Sequence, residues 1–314
     1  MRVQIQHLRY FVAVANLGHF TRAAESLGVT QPTLSKQIHS LEADLGAPLF
    51  DRARGVALTP AGAALLPVAR RILADVDTAR REVQELVGLR RGQVRLGATP
   101  SISTSLVPPV LGRFRAAHPG IDLHLEEGGS QDLVRHLTGG ELDLALIILP
   151  GQGTDPALRA EPLLTESLVV ASAGPGLPTP LRVADLRGRP LVMFRTGYDL
   201  RDATLEACRR EGFEPTFAVE GGEMDSVLGF VAAGLGVAVV PSMVLAGRPQ
   251  LRATPLAAPG IRRTVALAQR HASPLPHAAA ALRETLLHYL TEAPLPPGVS
   301  LAHDQGVPQV VMTT

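Results

Sequence analysis

Apolar positions follow three rhythms along the chain. Between residues 18 and 45 they recur at helical spacing in two short bursts. Ala23, Ala24 and Leu27 share the inner side of a first helix, which Thr21 or His19 can cap. Gly28 ends it, where a positive φ suits glycine. Val29 plugs the corner, Thr30 is a candidate N-cap, and Pro32 suits the first turn of a second helix. There Leu34, Ile38, Leu41 and Leu45, spaced four, three and four, make one buried stripe. The second rhythm starts at Thr59-Pro60, an N-cap followed by proline at the first helical position. From there to Gly88 the only breakers are Gly62 and Pro67, and Pro67 predicts a kink in the first turns. Leu65, Ala69, Ile72, Val76, Ala79, Val83 and Leu86 form a heptad seam, thinned by its two alanines. A helix of about 28 residues spans roughly 42 Å. It is either a connector packed on its own chain or a dimerisation helix, and the heptad period favours dimerisation.

The third rhythm begins beyond Gly92, where short apolar runs alternate with amphipathic segments. Val94–Ala98, Ile121–Glu126 and Leu142–Leu149 read as strands, with helices at Leu106–Ala117 and Gln131–Leu137. A second set has strands at Leu168–Ser172, Leu191–Phe194, Phe217–Glu220 and Val237–Val240, and helices at Leu200–Glu211 and Met224–Ala233. Thr264–Ala268 adds a strand and His277–Leu290 a helix. Such alternation predicts an α/β architecture of parallel sheets with helices on both faces, in two units with a cleft between them. The Pro/Gly-rich segment 294–314 is expected to be disordered.

Composition narrows the function. No apolar run is long enough to span a bilayer and no signal-peptide core follows the N-terminus, so a soluble cytoplasmic protein without a membrane partner is expected. The single cysteine, Cys208, excludes an intramolecular disulfide and a cysteine metal cage. The ten histidines lack ligand spacing, and no Gly-x-Ser-x-Gly elbow is present. Neither a metal, nor a cofactor, nor an enzyme's acid-base-nucleophile set is therefore expected. The net charge is only +1, yet residues 1–91 carry 12 Lys and Arg against 8 Asp and Glu, and the rest is net negative. The basic excess falls on the segment with the paired short helices.

The second of those helices turns Gln31, Thr33, Ser35, Lys36, Gln37 and His39 outward, with Pro32 beside them. These donors and acceptors can reach base edges and phosphates from a major-groove helix. An ordinary helical hairpin would also show a solvated face. Three features favour a helix-turn-helix: the small residues Ala23, Ala24 and Gly28 at its crossing, the position of Lys36 as the chain's only lysine, and a hairpin-like stretch at 48–59 that places Arg52 and Arg54 on a wing.

The run from Leu8-Arg9-Tyr10-Phe11 through Ala23-Ala24, Leu27, Gln31-Pro32-Thr33-Leu34-Ser35, Gln37-Ile38, Leu41-Glu42, Leu45-Gly46, Leu49-Phe50-Asp51-Arg52 and Leu58-Thr59-Pro60-Ala61-Gly62 resembles the winged helix-turn-helix of the LysR-type transcriptional regulators. The resemblance implies a winged helix-turn-helix at 1–59, a linker and dimerisation helix at 60–91 that forms a coiled coil between subunits, and a two-lobed effector domain at 92–293 similar to periplasmic binding proteins. Lobe I would hold about 92–161 and 266–293, lobe II about 162–265. It also implies a homodimer or homotetramer that binds double-stranded promoter DNA, senses a small-molecule effector and controls promoter activity. Gln31, Pro32, Thr33, Ser35, Lys36, Arg52 and Arg54 become the candidate DNA-binding residues.

In doubly wound sheets ligands sit beyond the carboxyl ends of strands. The first strand ends in a hydroxyl-rich turn with Thr99, Ser101 and Ser103, the second before Ser130, and in the other lobe Thr196 and Tyr198 occupy the same kind of position. By resemblance, the family reads its inducers with residues placed like Ser101 and Ser130 and with others near 196–198. A small anionic or polar effector is expected. An amino acid, an aromatic acid and an organic acid remain open. The segment from Gly197 to Cys208 also resembles the redox region of peroxide-sensing members, with Asp199 where the reactive cysteine would stand and Cys208 in its partner's place. A thiol-responsive regulator is thus one alternative, and a solute-binding or enzymatic domain fused to a winged helix another.

Overall fold

The structure is a computed structural model that describes residues 3–51, 56–86, 92–150, 153, 155–174, 176–271 and 273–302. It divides into two compact units, Met1–Leu89 with Thr138–Glu141, and Arg90–Leu137 with Leu142–Thr314.

The first unit opens with α1 (Ile5–Leu17), α2 (Phe20–Ser26) and α3 (Gln31–Leu45), then a two-stranded ribbon of β1 (Phe50–Asp51) and β2 (Ala57–Leu58), then α4 (Pro60–Leu86). The ring of His19, rather than Thr21, caps α2 by accepting from the Thr21 N–H at 3.2 Å. Gly28 takes φ +65° in the turn, as expected. Thr30 Oγ1 accepts from the Thr33 N–H and caps α3. Thr59 Oγ1 accepts from the Gly62 N–H at 3.1 Å and donates to the Pro48 carbonyl at 2.6 Å, which ties the wing to the start of α4. Leu8, Phe11, Val14, Ala23, Ala24, Leu34, Ile38, Leu41, Leu49 and Phe50 fill one core. Leu45 is only half-buried.

The seam expected along α4 is divided in two. Leu65 and Ala69 join the core of their own unit, together with Leu66 and Leu73, because the first half of α4 packs against α1. Of the other seam positions, Ile72 and Val83 are 38% and 60% exposed and Val76 is half-buried. The helix continues without a break through Pro67. The Leu86 side chain lies outside the described residues.

The second unit comprises β3 (Gln93–Ala98), α5 (Pro100–Ser105), α6 (Val107–Ala117), β4 (Asp122–Glu127), α7 (Ser130–Thr138), β5 (Leu144–Ile148), β6 (Leu158–Ala173), β7 (Leu191–Phe194), α8 (Asp199–Arg210), β8 (Phe217–Gly222), α9 (Met224–Ala232), β9 (Ala238–Pro241), β10 (Leu251–Pro255), β11 (Arg262–Arg270), α10 (His277–Glu292) and β12 (Val299–Leu301). Parallel pairing holds for β3 with β4 and β5, and for β7 with β8. The sheets are mixed rather than parallel. The main path runs β10-β6-β11-β5-β3-β4, and β6 and β11 pair antiparallel as the outward and return connections between two lobes. The register shifts between Val265 and Ala266, opposite Leu164 and Pro162, and Pro162 has no N–H to lose from the ladder.

β6 begins ten residues before the apolar run at Leu168 that the sequence shows. Charged residues interrupt its first half, and ion pairs accommodate them there, Glu161 with Arg283 and Glu166 with Arg263. Lobe I is built on Val94, Leu96, Ile102, Phe114, Leu282 and Leu286, with Leu133, Leu137 and Ile147 on the other face of the sheet. Lobe II is built on Val192, Phe194, Leu200, Val227, Val231 and Val239. The segment expected as a disordered tail is ordered in its first part, where Val299, Ser300 and Leu301 pair with Glu166, Thr165 and Leu164 of β6. Residues 303–314 lie outside the described residues. Among the described residues no helix is long and apolar enough to cross a membrane.

A Cβ on Gly62 would lie 2.2 Å from the Leu49 carbonyl oxygen and 2.9 Å from Leu58 Cδ2. Backbone cannot move aside cheaply. Gly62→Ala therefore destabilises the first unit by about 1–3 kcal/mol, although alanine is the better helix former by about 1 kcal/mol. Denaturant unfolding of the full chain, followed on that unit's transition, measures this.

Candidate functional site

Two sets of side chains stand out, one in each unit. On α3 the fully buried Leu34, Ile38 and Leu41 hold one face against the core. Gln31, Pro32, Thr33 and Lys36 lie exposed on the other, and Ser35 is half-buried. Thr33 Oγ1 sits 2.9 Å from Thr30 Oγ1 and so shares in the cap. Gln37 is drawn into the protein, with Oε1 2.9 Å from His7 Nε2, whereas His39 stays exposed, its Nδ1 3.2 Å from Glu42 of the same helix. Gln31, Thr33, Lys36 and His39 are thus exposed polar groups of α3. Arg52 and Arg54 lie outside the described residues.

In the second unit the loops that end β3 and β4 meet the loop after β7. Thr99, Ser101, Ser130 and Tyr198 are nearly fully buried, Ser103 is half-buried, and Thr196 is exposed. Ser101 Oγ accepts from Arg263 Nη2 at 2.8 Å. Arg263 also donates through Nε to Glu166 Oε1, and its side chain and that of Glu166 are 7% and 0% exposed. Ser130 Oγ donates to Asp199 Oδ2 at 2.7 Å and accepts from the Ile148 N–H at 3.0 Å. A Cβ on Gly129 would lie 3.3 Å from the Gly197 oxygen, so the loops of the two lobes touch there.

The Tyr198 ring stacks on Phe194 with centroids 4.6 Å apart. Burial pushes its hydroxyl pKa up; Arg263 opposes this and Glu223, Glu127 and Asp199 reinforce it. Thr99 Oγ1, Glu166 Oε2 and the Tyr198 hydroxyl are buried with no protein partner among the described residues. The hydroxyls of Thr104 and Ser105 donate to the carbonyls of Pro100 and Ser101, which is ordinary helix back-bonding.

Sequence reasoning brought Thr99, Ser101, Ser130 and Tyr198 to one place but missed Arg263 and Glu166. A signal was present: Glu166 is a lone acid within the apolar run Leu163 to Val170. Asp199 was read as the end of the lobe II loop and as part of a redox region, but not as a contact of its own. Cys208 is fully buried in the lobe II core, and burial, aided by Glu214, pushes its thiol up to about 11.

Residues 5–63 match the family described as bacterial regulatory helix-turn-helix protein, lysR family, and residues 88–291 match the LysR substrate binding domain. The chain is 36% identical to the uncharacterized HTH-type transcriptional regulator YnfL of Escherichia coli, over 77% of this chain and 83% of that one. It is 31% identical to a hydrogen peroxide-inducible genes activator of Dickeya chrysanthemi, over 87% and 91%. A solved structure of a full-length OxyR variant from Pseudomonas aeruginosa, with aspartate in place of a cysteine, superposes with a TM-score of 0.69 at 30% identity, covering 91% and 95% of the two chains.

With a thiol pKa near 11 instead of the ordinary 9.0, the thiolate fraction of Cys208 at pH 7.5 is about a hundredth of that of a free cysteine. In the native chain Cys208 therefore reacts with a thiol reagent at least about 100-fold more slowly than after unfolding in urea. Equal rates by absorbance would show that it is neither buried nor shifted.

Proposed function

Since the chain belongs to the LysR family of transcriptional regulators, we propose that it reads DNA with the outward face of α3 and answers to a small polar molecule held between the lobes of its second unit. It is a DNA-binding transcriptional regulator with an effector-binding domain. The observation that supports the DNA assignment is the two-sided character of α3: Leu34, Ile38 and Leu41 are fully buried while Gln31, Pro32, Thr33 and Lys36 are exposed. A major-groove helix needs a rigid back and a polar front. Ser35 stands at the edge of that face. Arg52 and Arg54 would contact the flanking backbone from the wing.

For the effector, Thr99, Ser101, Ser103, Ser130, Thr196 and Tyr198 are proposed as contacts. The buried and unpartnered hydroxyls of Thr99 and Tyr198 support this, because such groups are costly unless a polar partner reaches them. The protein acts in the cytoplasm as a homodimer or homotetramer, with subunits joined along α4, where Ile72 and Val83 are 38% and 60% exposed. The thiol-responsive alternative is supported by the hydrogen peroxide-inducible relative. Against it stand the depth of Cys208 and the carboxylate at Asp199, where a reactive thiol would be needed.

Lys36→Ala lowers operator affinity and, where the ammonium meets a phosphate, flattens the logarithmic salt dependence by about one unit per subunit. Fluorescence anisotropy between 50 and 200 mM salt reads both. Identical curves for wild type and variant would remove Lys36 from the interface. Placing charges on the exposed apolar positions of α4 with Ile72→Asp and Val83→Asp together halves the assembly mass measured by light scattering. A native mass in that variant would show that α4 does not join the subunits.

A further inference from the structure

We propose that the effector presents an amine, in its protonated form, to Glu166 and Asp199 at the site between the lobes. The inference rests on the proposed effector site and gives it a ligand class. Its first ground is Glu166, which is wholly buried, with Oε1 bound to Arg263 and Oε2 facing no protein donor. A carboxylate oxygen can only accept, so what completes it must donate.

The second ground is charge. Arg263 is the cation of this floor, and Glu166 already neutralises it. Arg195, at the rim, is paired with Glu223. Asp199 accepts from the Ser130 hydroxyl and is partly exposed. Glu127, Asp199 and Glu223 all act on the Tyr198 hydroxyl, against Arg263 alone. A carboxylate ligand would meet an arginine already paired with Glu166, and the carboxylate of Asp199 beside Ser130. An ammonium finds a buried acceptor in Glu166, a second in Asp199, and the unpartnered hydroxyls of Tyr198 and Thr99. The expectation of an anionic or polar effector thus resolves toward a polar, amine-bearing molecule.

The test is calorimetry of the full chain with matched sets of probes: butylamine, N-acetylbutylamine and butyrate, and benzylamine, N-acetylbenzylamine and benzoate. The expected result is binding by the amines only. Glu166→Gln weakens that binding about tenfold to hundredfold, the ordinary range for losing a charge-assisted hydrogen bond. Because Glu166→Gln also strips Arg263 of its partner, Asp199→Asn serves as the second variant. It leaves the Glu166–Arg263 pair in place and weakens amine binding by about tenfold. Amine binding of unchanged strength in both variants would overturn the inference. So would binding of the carboxylates alone; if Thr99→Val then abolished it, the site between the lobes would stand and only the amine would fall. Absence of binding by every probe would count against the effector site itself.

Discussion

The buried ion pair between Arg263 and Glu166 is the contact on which the second unit turns. The two residues face each other in register on the antiparallel strands that carry the chain from one lobe to the other and back. Neither charge is accessible, so each is tolerated only because the other is present. Removing one partner of such a pair costs about 3–5 kcal/mol, whereas an apolar replacement of both is often neutral. The pair therefore does not explain why the lobes are stable. It explains what they present: an acidic oxygen left over on Glu166, and an arginine whose remaining hydrogen bond holds Ser101 Oγ. Thr165, next to Glu166 on β6, pairs with Ser300 of β12, so the end of the described chain also depends on this stretch of strand.

The first unit solves the opposite problem. Its functional face must stay free of internal partners, and its rigidity comes from behind. Leu34, Ile38 and Leu41 lock α3 by burial alone, and Phe11 and Phe50 pack at 5.4 Å beneath it. Thr59 binds the wing and α4 through two hydrogen bonds, and Gly62 permits an approach that no other residue would. α4 serves the core of its own unit through Leu65, Ala69 and Leu73, while Ile72 and, near its end, Val83 stay exposed. One heptad period thus has two uses, since some of its apolar positions turn to the core and others stay at the surface.

That double use shows where sequence is transparent and where it is not. Helix periodicity, caps and the glycine at φ +65° were legible because they are local: Thr30 and Pro32 opened α3 where expected, and Leu191–Phe194 is a strand with the bounds read from the chain. The first half of β6 was illegible because its strand character depends on charges being met from elsewhere. Glu161 needs Arg283 and Glu166 needs Arg263, respectively 122 and 97 residues away. The antiparallel order of β6 and β11 was hidden for a related reason. Alternating strands and helices predict parallel neighbours, but a strand that returns from a second lobe must run against the one that left.

The same distinction sorts the hydroxyls of the site. All of Thr99, Ser101, Ser130 and Tyr198 were legible as a converging set, because each follows a strand end or opens a helix. Their availability was not. Ser101 is committed to Arg263, and Ser130 to Asp199 and the Ile148 N–H, while the hydroxyls of Thr99 and Tyr198 have no protein partner among the described residues. Ser130 belongs to lobe I and Asp199 to lobe II, so their hydrogen bond joins the lobes directly. A donor on a ligand can take Oδ1 of Asp199 beside that bond or compete with Ser130 for Oδ2, since a carboxylate accepts at both oxygens. Thr99 of lobe I and Tyr198 of lobe II offer a second pair of groups that one ligand can span. A ligand shifts a conformational equilibrium only through contacts that differ between its states, and contacts that reach both lobes are of that kind. Asp199, already tied to lobe I through Ser130, is thus one group through which occupancy of the site can be felt by both lobes.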